Sequence, residues 1–108
     1  MKDMQKMMKQ AQQMAAEMQK AQDELADIEV EGSAGGGAVK VVATADHRVL
    51  RVTLDPDLLT DVEADDLEMI SDTIVAAVND ALEKAREKQT EALGPIAGGL
   101  GGLGLPGT

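Results

Sequence analysis

The periodicities along the chain predict an α+β fold of the form α-β-β-β-α, two long helices around a small antiparallel three-stranded sheet. Three observations carry this reading. Apolar or small residues at Met4, Met7, Ala11, Met14, Met18, Ala21, Leu25 and Ile28 are spaced alternately three and four apart. Apolar residues then alternate at period two in three stretches between 28 and 54. Finally, Leu67, Ile70, Ile74, Ala77, Val78, Ala81, Leu82 and Ala85 follow a 3.6-residue period.

The first helix is predicted over residues 2–27. Its intervening positions are Lys, Gln, Glu and Ala, all good helix formers, and neither Gly nor Pro occurs before Gly32. The 3-4 spacing is that of a heptad seam, but Met and Ala make it soft and thin. The helix exceeds what a domain of this size needs for its own core, so part of it projects or packs on a partner. Met18, Leu25 and Ile28 are assigned to the core, and Met4, Met7 and Met8 to another subunit.

Ile28-Glu29-Val30-Glu31 alternates as a short strand, and Gly32 to Gly37 reads as a flexible loop. Residues 38–44 and 48–54 form a hairpin around Ala45-Asp46-His47. Asp55-Pro56 ends the last strand, since proline offers the ladder no donor. The second helix is predicted over about 66–92, opened by Asp65 and Asp66 and stopped by Gly94-Pro95. Residues 94–108 hold seven of the eleven glycines and no charge, which predicts a disordered Gly/Leu/Pro tail after a single domain over 1–93.

Composition removes most chemistries. The 108 residues contain no cysteine, no aromatic residue and one histidine. A Cys/His zinc site, a disulfide framework, an Fe–S ligand set and a thiol nucleophile are therefore excluded, as are the aromatic platforms that read single-stranded nucleic acids. His47 sits in a turn beside Asp46 with no base partner, which reads as a solvated residue. The acidic run Asp55, Asp57, Asp61, Glu63, Asp65 and Asp66 lacks the glycine and terminal glutamate of a calcium loop, and reads as a helix-starting face. Gly35 to Gly37 precede a strand, where a phosphate cradle needs a helix. No cofactor, metal, small-molecule substrate or enzymatic activity is expected.

The formal charge of −10 disfavours a duplex-coating or membrane-surface protein on average, yet the charges are unevenly placed. Residues 1–22 hold Lys2, Lys6, Lys9 and Lys20 against Asp3 and Glu17, whereas 55–72 hold eight acids and no base. No apolar stretch approaches a membrane span, and a cytoplasmic protein is expected. Lys84, Arg86 and Lys88 close the second helix. Antiparallel helices are expected to bring these three together with Lys2, Lys6 and Lys9, and a two-fold dimer would duplicate the basic tips across a duplex.

The chain resembles the YbaB/EbfC family of small bacterial nucleoid-associated proteins. The residues that carry the resemblance are Met8-Lys9-Gln10-Ala11-Gln12-Gln13-Met14, Glu31-Gly32 with Val39-Lys40-Val41, Val52-Thr53-Leu54-Asp55-Pro56-Asp57-Leu58-Leu59, and Ile74-Val75-Ala76-Ala77-Val78-Asn79-Asp80-Ala81. The resemblance implies a homodimer with helices projecting like tweezers, no enzymatic activity, and binding of double-stranded DNA in the nucleoid. By position it implies DNA contacts at Lys2, Lys6, Lys9 and Lys20 on the first helix and at Lys84, Arg86 and Lys88 on the second. The chain departs from commoner members in its acidity and in having no glycine in the turn at Ala45-Asp46-His47. An alternative function is that of an acidic adaptor, whose methionine-lined helix and acidic belt recognise a cytoplasmic protein, with DNA contact incidental.

Overall fold

The structure, a computed structural model, describes residues 2–101. Helix α1 (Lys2–Leu25) is followed by strands β1 (Glu29–Ala34), β2 (Val39–Thr44) and β3 (Val49–Leu54), a 3₁₀ turn over Pro56–Leu59, and helix α2 (Ala64–Gly101). The strands form one antiparallel sheet in the order β1-β2-β3, the predicted α+β arrangement.

The core lies between one sheet face and α2. Val30 of β1 and Val39, Val41 and Ala43 of β2 meet Ala77, Ala81 and Ala85 of α2, all buried. Three alanines one helical turn apart present almost no side chain, so the α2 backbone itself rests on the sheet. Gly32 is where this approach is tightest. A Cβ there would lie 2.2 Å from the Ala81 amide nitrogen and 2.8 Å from the Ala77 carbonyl oxygen.

This packing overturns the expectation of a flexible loop beginning at Gly32. Gly32 and Ser33 are strand residues, paired with Val41 and Lys40. The Ser33 amide also donates to the Asp80 carboxylate of α2 at 2.9 Å. The turn proper is short, and Gly35, Gly36 and Gly37 all take positive φ, from 66° to 92°, a run of left-handed conformations that only glycine adopts without strain.

At the second turn His47 takes φ 68° in the place of a glycine, and its amide donates to the Thr44 carbonyl at 2.9 Å. Histidine is among the residues that tolerate this region best. Asp55 caps the 3₁₀ turn by accepting from the Asp57 amide, with Pro56 at its first position. Glu63 and Asp66 then form a reciprocal start to α2. The Glu63 amide donates to the Asp66 carboxylate at 3.0 Å, and the Asp66 amide returns to the Glu63 carbonyl at 3.0 Å.

The far end of α2 departs from expectation. The helix does not stop at Gly94-Pro95 but runs on to Gly101. Proline normally expels its predecessor from helical conformation through a clash that includes that residue's Cβ, and Gly94 has none. The expected tail thus begins as helical backbone, and its remainder, 102–108, lies outside the described residues.

Candidate nucleic-acid interface

Charge and position on the two helices determine which surface can meet a polyanion. At 100° per residue, Lys2, Lys6, Lys9 and Lys20 fall within a sector of about 60° on α1. The seam Met4, Met7, Ala11, Met14, Met18, Ala21 and Leu25 lies on the opposite side. α2 takes up the inner part of that seam, leaving Met14, Met18 and Ala21 half-buried and Leu25 fully buried. The outer part stands free, with Met4, Met7 and Met8 exposed by 69%, 66% and 62%.

β1 runs antiparallel to α2, so the chain direction through the core is defined by Ser33 on Asp80 and Glu31 on Lys84. α1 ends three residues before Ile28 and therefore leaves from the Lys84–Lys88 stretch of α2. The long dimension of the protein is 75 Å, and residues 2–13 of α1 are exposed throughout, so this half of the helix stands away from the core as an arm. Lys9 stands about 24 Å along that arm from Leu25.

The predicted meeting of the two basic groups does not occur. Lys84 lies against the sheet, where its ammonium donates to the Glu31 carbonyl at 3.1 Å and pairs with Asp80 at 3.3 Å. Lys88 pairs with Glu91 at 3.5 Å, and Arg86 is exposed between Glu83 and Glu87 in sequence. The helix runs on past Arg86 by about 22 Å, so none of these three is at a tip. Lys2, Lys6, Lys9 and Lys20 are all exposed and, among the described residues, form no ion pair within the chain.

Three cations not singled out from sequence, Lys40, Arg48 and Arg51, complete the inventory, with Arg48 exposed beside the second turn. Lys40 and Arg51 are exposed on the sheet face turned away from α2, Arg51 in register with Val42. The strand alternation held the signal for them, since each sits one residue from a core-facing valine. The same alternation places Val52 and Leu54 of β3 on the α2 side, and the register shift between Val42 and Ala43 brings Val49, opposite Ala43, to that side as well, yet α2 packs chiefly on β1 and β2. Val49, Leu50 and Val52 consequently remain exposed by 44%, 46% and 42%, an apolar edge continuous with the core.

The opposite end of the molecule is acidic. A groove of about 500 Å³ at the start of α2 is lined by Asp65, Glu68, Met69 and Asp72 without a cation. Among the described residues, no group of three or more His, Asp or Glu side chains is placed to hold a metal ion. Nor is any described helix long and apolar enough to cross a membrane.

Comparison with known proteins gives a consistent result. The model of the YbaB/EbfC DNA-binding family matches residues 1–100. A protein of Saccharopolyspora erythraea named nucleoid-associated protein is 47% identical over 111 residues, covering 97% of this chain and 93% of its own length. One of the same name from Acetivibrio thermocellus is 48% identical over 97 residues, covering 90% of this chain and 83% of its own. The crystal structure of uncharacterized protein HP0035 from Helicobacter pylori shares the fold with a TM-score of 0.70 at 19% identity, over 84% of this chain and 92% of that one.

Proposed function

Since the chain belongs to the YbaB/EbfC DNA-binding family, we propose that it is a nucleoid-associated protein that binds double-stranded DNA as a homodimer through the lysine face of α1. The observation that carries the assignment to α1 is the single-faced stripe of Lys2, Lys6, Lys9 and Lys20, exposed and, among the described residues, without an ion-pair partner on a projecting arm. Cations not engaged within the chain meet phosphates with no internal pair to break. Lys84 and Lys88 already have partners, so they and Arg86 contribute less to DNA binding than the arm.

The acidic end has a part in this reading. With eight acids and no base over residues 55–72, it is repelled by a duplex, so an approaching molecule is turned arm first. The exposed β3 edge of Val49, Leu50 and Val52 is the surface on which a second copy completes the core, giving one arm per subunit. The function is binding, in the nucleoid and hence the cytoplasm, with no catalytic step.

The test is a titration of labelled duplex DNA at about 50 and about 200 mM salt, with the dimer verified by sedimentation. Affinity is expected to fall linearly with log salt. Replacing Lys2, Lys6 and Lys9 together by Ala is expected to abolish binding while sedimentation is unchanged. In single variants, the slope of log affinity against log salt is expected to become shallower by about 0.9 for each phosphate that is no longer neutralised. Full affinity in the triple variant overturns the arm assignment. Absence of binding by the unaltered dimer at low salt overturns the DNA reading and leaves the acidic end as the surface for a protein partner.

A further inference from the structure

We propose that Asp80 and Lys84 of α2 close the free edge of β1 to strand addition, by taking the hydrogen bonds that one residue of an incoming strand would make. The pair is an autoinhibitory contact that leaves the sheet one open edge, at β3.

β1 is an outer strand, so every second residue turns its amide and carbonyl away from β2. Glu29, Glu31 and Ser33 stand on this free side. The Ser33 amide donates to Asp80 Oδ2 at 2.9 Å, and the Glu31 carbonyl accepts from Lys84 Nζ at 3.1 Å. The two side chains are joined to each other at 3.3 Å. A parallel strand beside β1 would set one residue opposite Gly32, its amide donating to Glu31 and its carbonyl accepting from Ser33. Lys84 and Asp80 supply that same donor and acceptor, in the same places. An antiparallel strand is refused as well, because Glu31 and Ser33 would each have to exchange two bonds and each has one already taken.

The placement follows from the close approach of helix and sheet. Gly32 lets the α2 backbone rest on β1 at Ala81, and Asp80 and Lys84, one residue before and three after, share the flank of the helix that overhangs the edge. With a side chain at position 32 the helix would stand off, and neither group would reach the strand.

Unpaired edges are templates for further pairing, and proteins guard them with charge or cover. β1 divides this task along its length. At its start Glu29 and Glu31 share an open groove of about 440 Å³ with Glu87 and Glu91, so an entering strand of like sequence meets repulsion. Gly32, Ser33 and Ala34 carry no charge, and there Asp80 and Lys84 are the guard. Among the described residues no side chain bonds to the backbone of β3. Were both edges open, copies could add edge to edge without closure, the kind of contact that grows fibres.

Swapping the two side chains, Asp80→Lys with Lys84→Asp, keeps composition, net charge and the spacing of the ion pair. It sets an ammonium against the Ser33 amide and a carboxylate against the Glu31 carbonyl, so neither edge bond forms. Gly36→Ala is the control, since it strains a turn without touching the edge. Native protein and both variants are incubated without DNA at equal concentration, once circular dichroism shows native helix content, and followed by thioflavin T fluorescence. The swapped chain is expected to form thioflavin-positive assemblies about tenfold faster than Gly36→Ala. Equal rates in the two, or no assembly from the swapped chain, overturn the proposal. The unaltered protein supplies a second measurement. Glu31 and Ser33 both turn their amides outward, but among the described residues only the Ser33 amide has an acceptor, so its hydrogen is expected to exchange about a hundredfold more slowly. Ser33 exchanging as fast as Glu31 overturns the closure of the edge, whatever the variants do.

Discussion

The two long helices of this protein treat their apolar faces in opposite ways. α2 buries Ala77, Ala81 and Ala85 completely and brings its backbone onto the sheet, whereas α1 carries Met4, Met7 and Met8 largely in solvent. Their cations divide in the same sense. Lys84 of α2 is bound to Glu31 and Asp80, while the lysines of α1 form no ion pair among the described residues. Small residues serve where the packing surface is backbone and the geometry must be unique, whereas the long, adaptable methionines of α1 lie on a surface that the chain itself leaves open. Buried contacts are thus concentrated where α2 meets the sheet, and the exposed lysines proposed to meet DNA on α1.

The strongest way to break this division is at Gly32. An added methyl group there meets backbone atoms of Ala81 and Ala77, which have no rotamer by which to escape, so α2 must lift from the sheet. Gly32→Ala is expected to cost about 3 kcal/mol in urea denaturation, at the upper end of overpacking effects. Gly36 is a matched control, since a Cβ there has nothing within 4 Å and only its φ of 69° opposes a side chain. Gly36→Ala is expected to cost about 1 kcal/mol. Equal costs at the two positions would mean that the close approach of α2 does not govern stability.

A smaller effect concerns how α2 is fastened to β1. The Ser33 amide and then the Lys84 ammonium hold the Asp80 carboxyl below its usual range. A carboxylate lowered in the folded state contributes stability that is complete above its unfolded pKa and is lost as pH falls through the folded one. The urea midpoint of the native protein should therefore exceed that of Asp80→Asn near neutral pH. The gap should close in the acid range, below the ordinary carboxylate pKa. A gap that persists undiminished at low pH would show that the charge of Asp80 has no part in the fastening.

Much of this architecture was legible in the sequence because the periods are long and unbroken. Met4 to Ile28 and Leu67 to Ala85 each extend over several turns, so both helices follow from spacing alone, as do the buried positions Leu25, Ile70, Ala77, Ala81 and Ala85, whereas Met4, Met7 and Leu67 on the same stripes stay exposed. Spacing alone makes Gly32 the start of a loop because glycine signals both a turn and a close approach, and only the proximity of Ala77 and Ala81 distinguishes them. Gly94-Pro95 misled in a related way, since the stop signal of proline acts partly through a preceding Cβ that glycine lacks. The basic residues were all visible, but their grouping was not. Whether Lys84 and Lys9 are neighbours depends on how far each helix runs beyond the sheet, and no local pattern records that.

The least effect is expected where the arm and the sheet end of α2 differ most plainly in surroundings. Arg86 is exposed on α2, flanked in sequence by Glu83 and Glu87, and lies well short of the helix end. Its removal creates no cavity and breaks no ion pair found among the described residues. Arg86→Ala should shift stability by no more than about 0.5 kcal/mol, as for surface substitutions generally. It should also leave duplex affinity within twofold and the salt slope unchanged, because neighbouring acids keep phosphates away from that turn. Lys6→Ala, with one unpaired cation removed from the arm, should lower the slope by about 0.9. The two single substitutions remove equal formal charge, so any difference between them reports position alone. If both lowered the slope equally, DNA would be reading the total charge of the helical pair, and the arm would lose its separate standing.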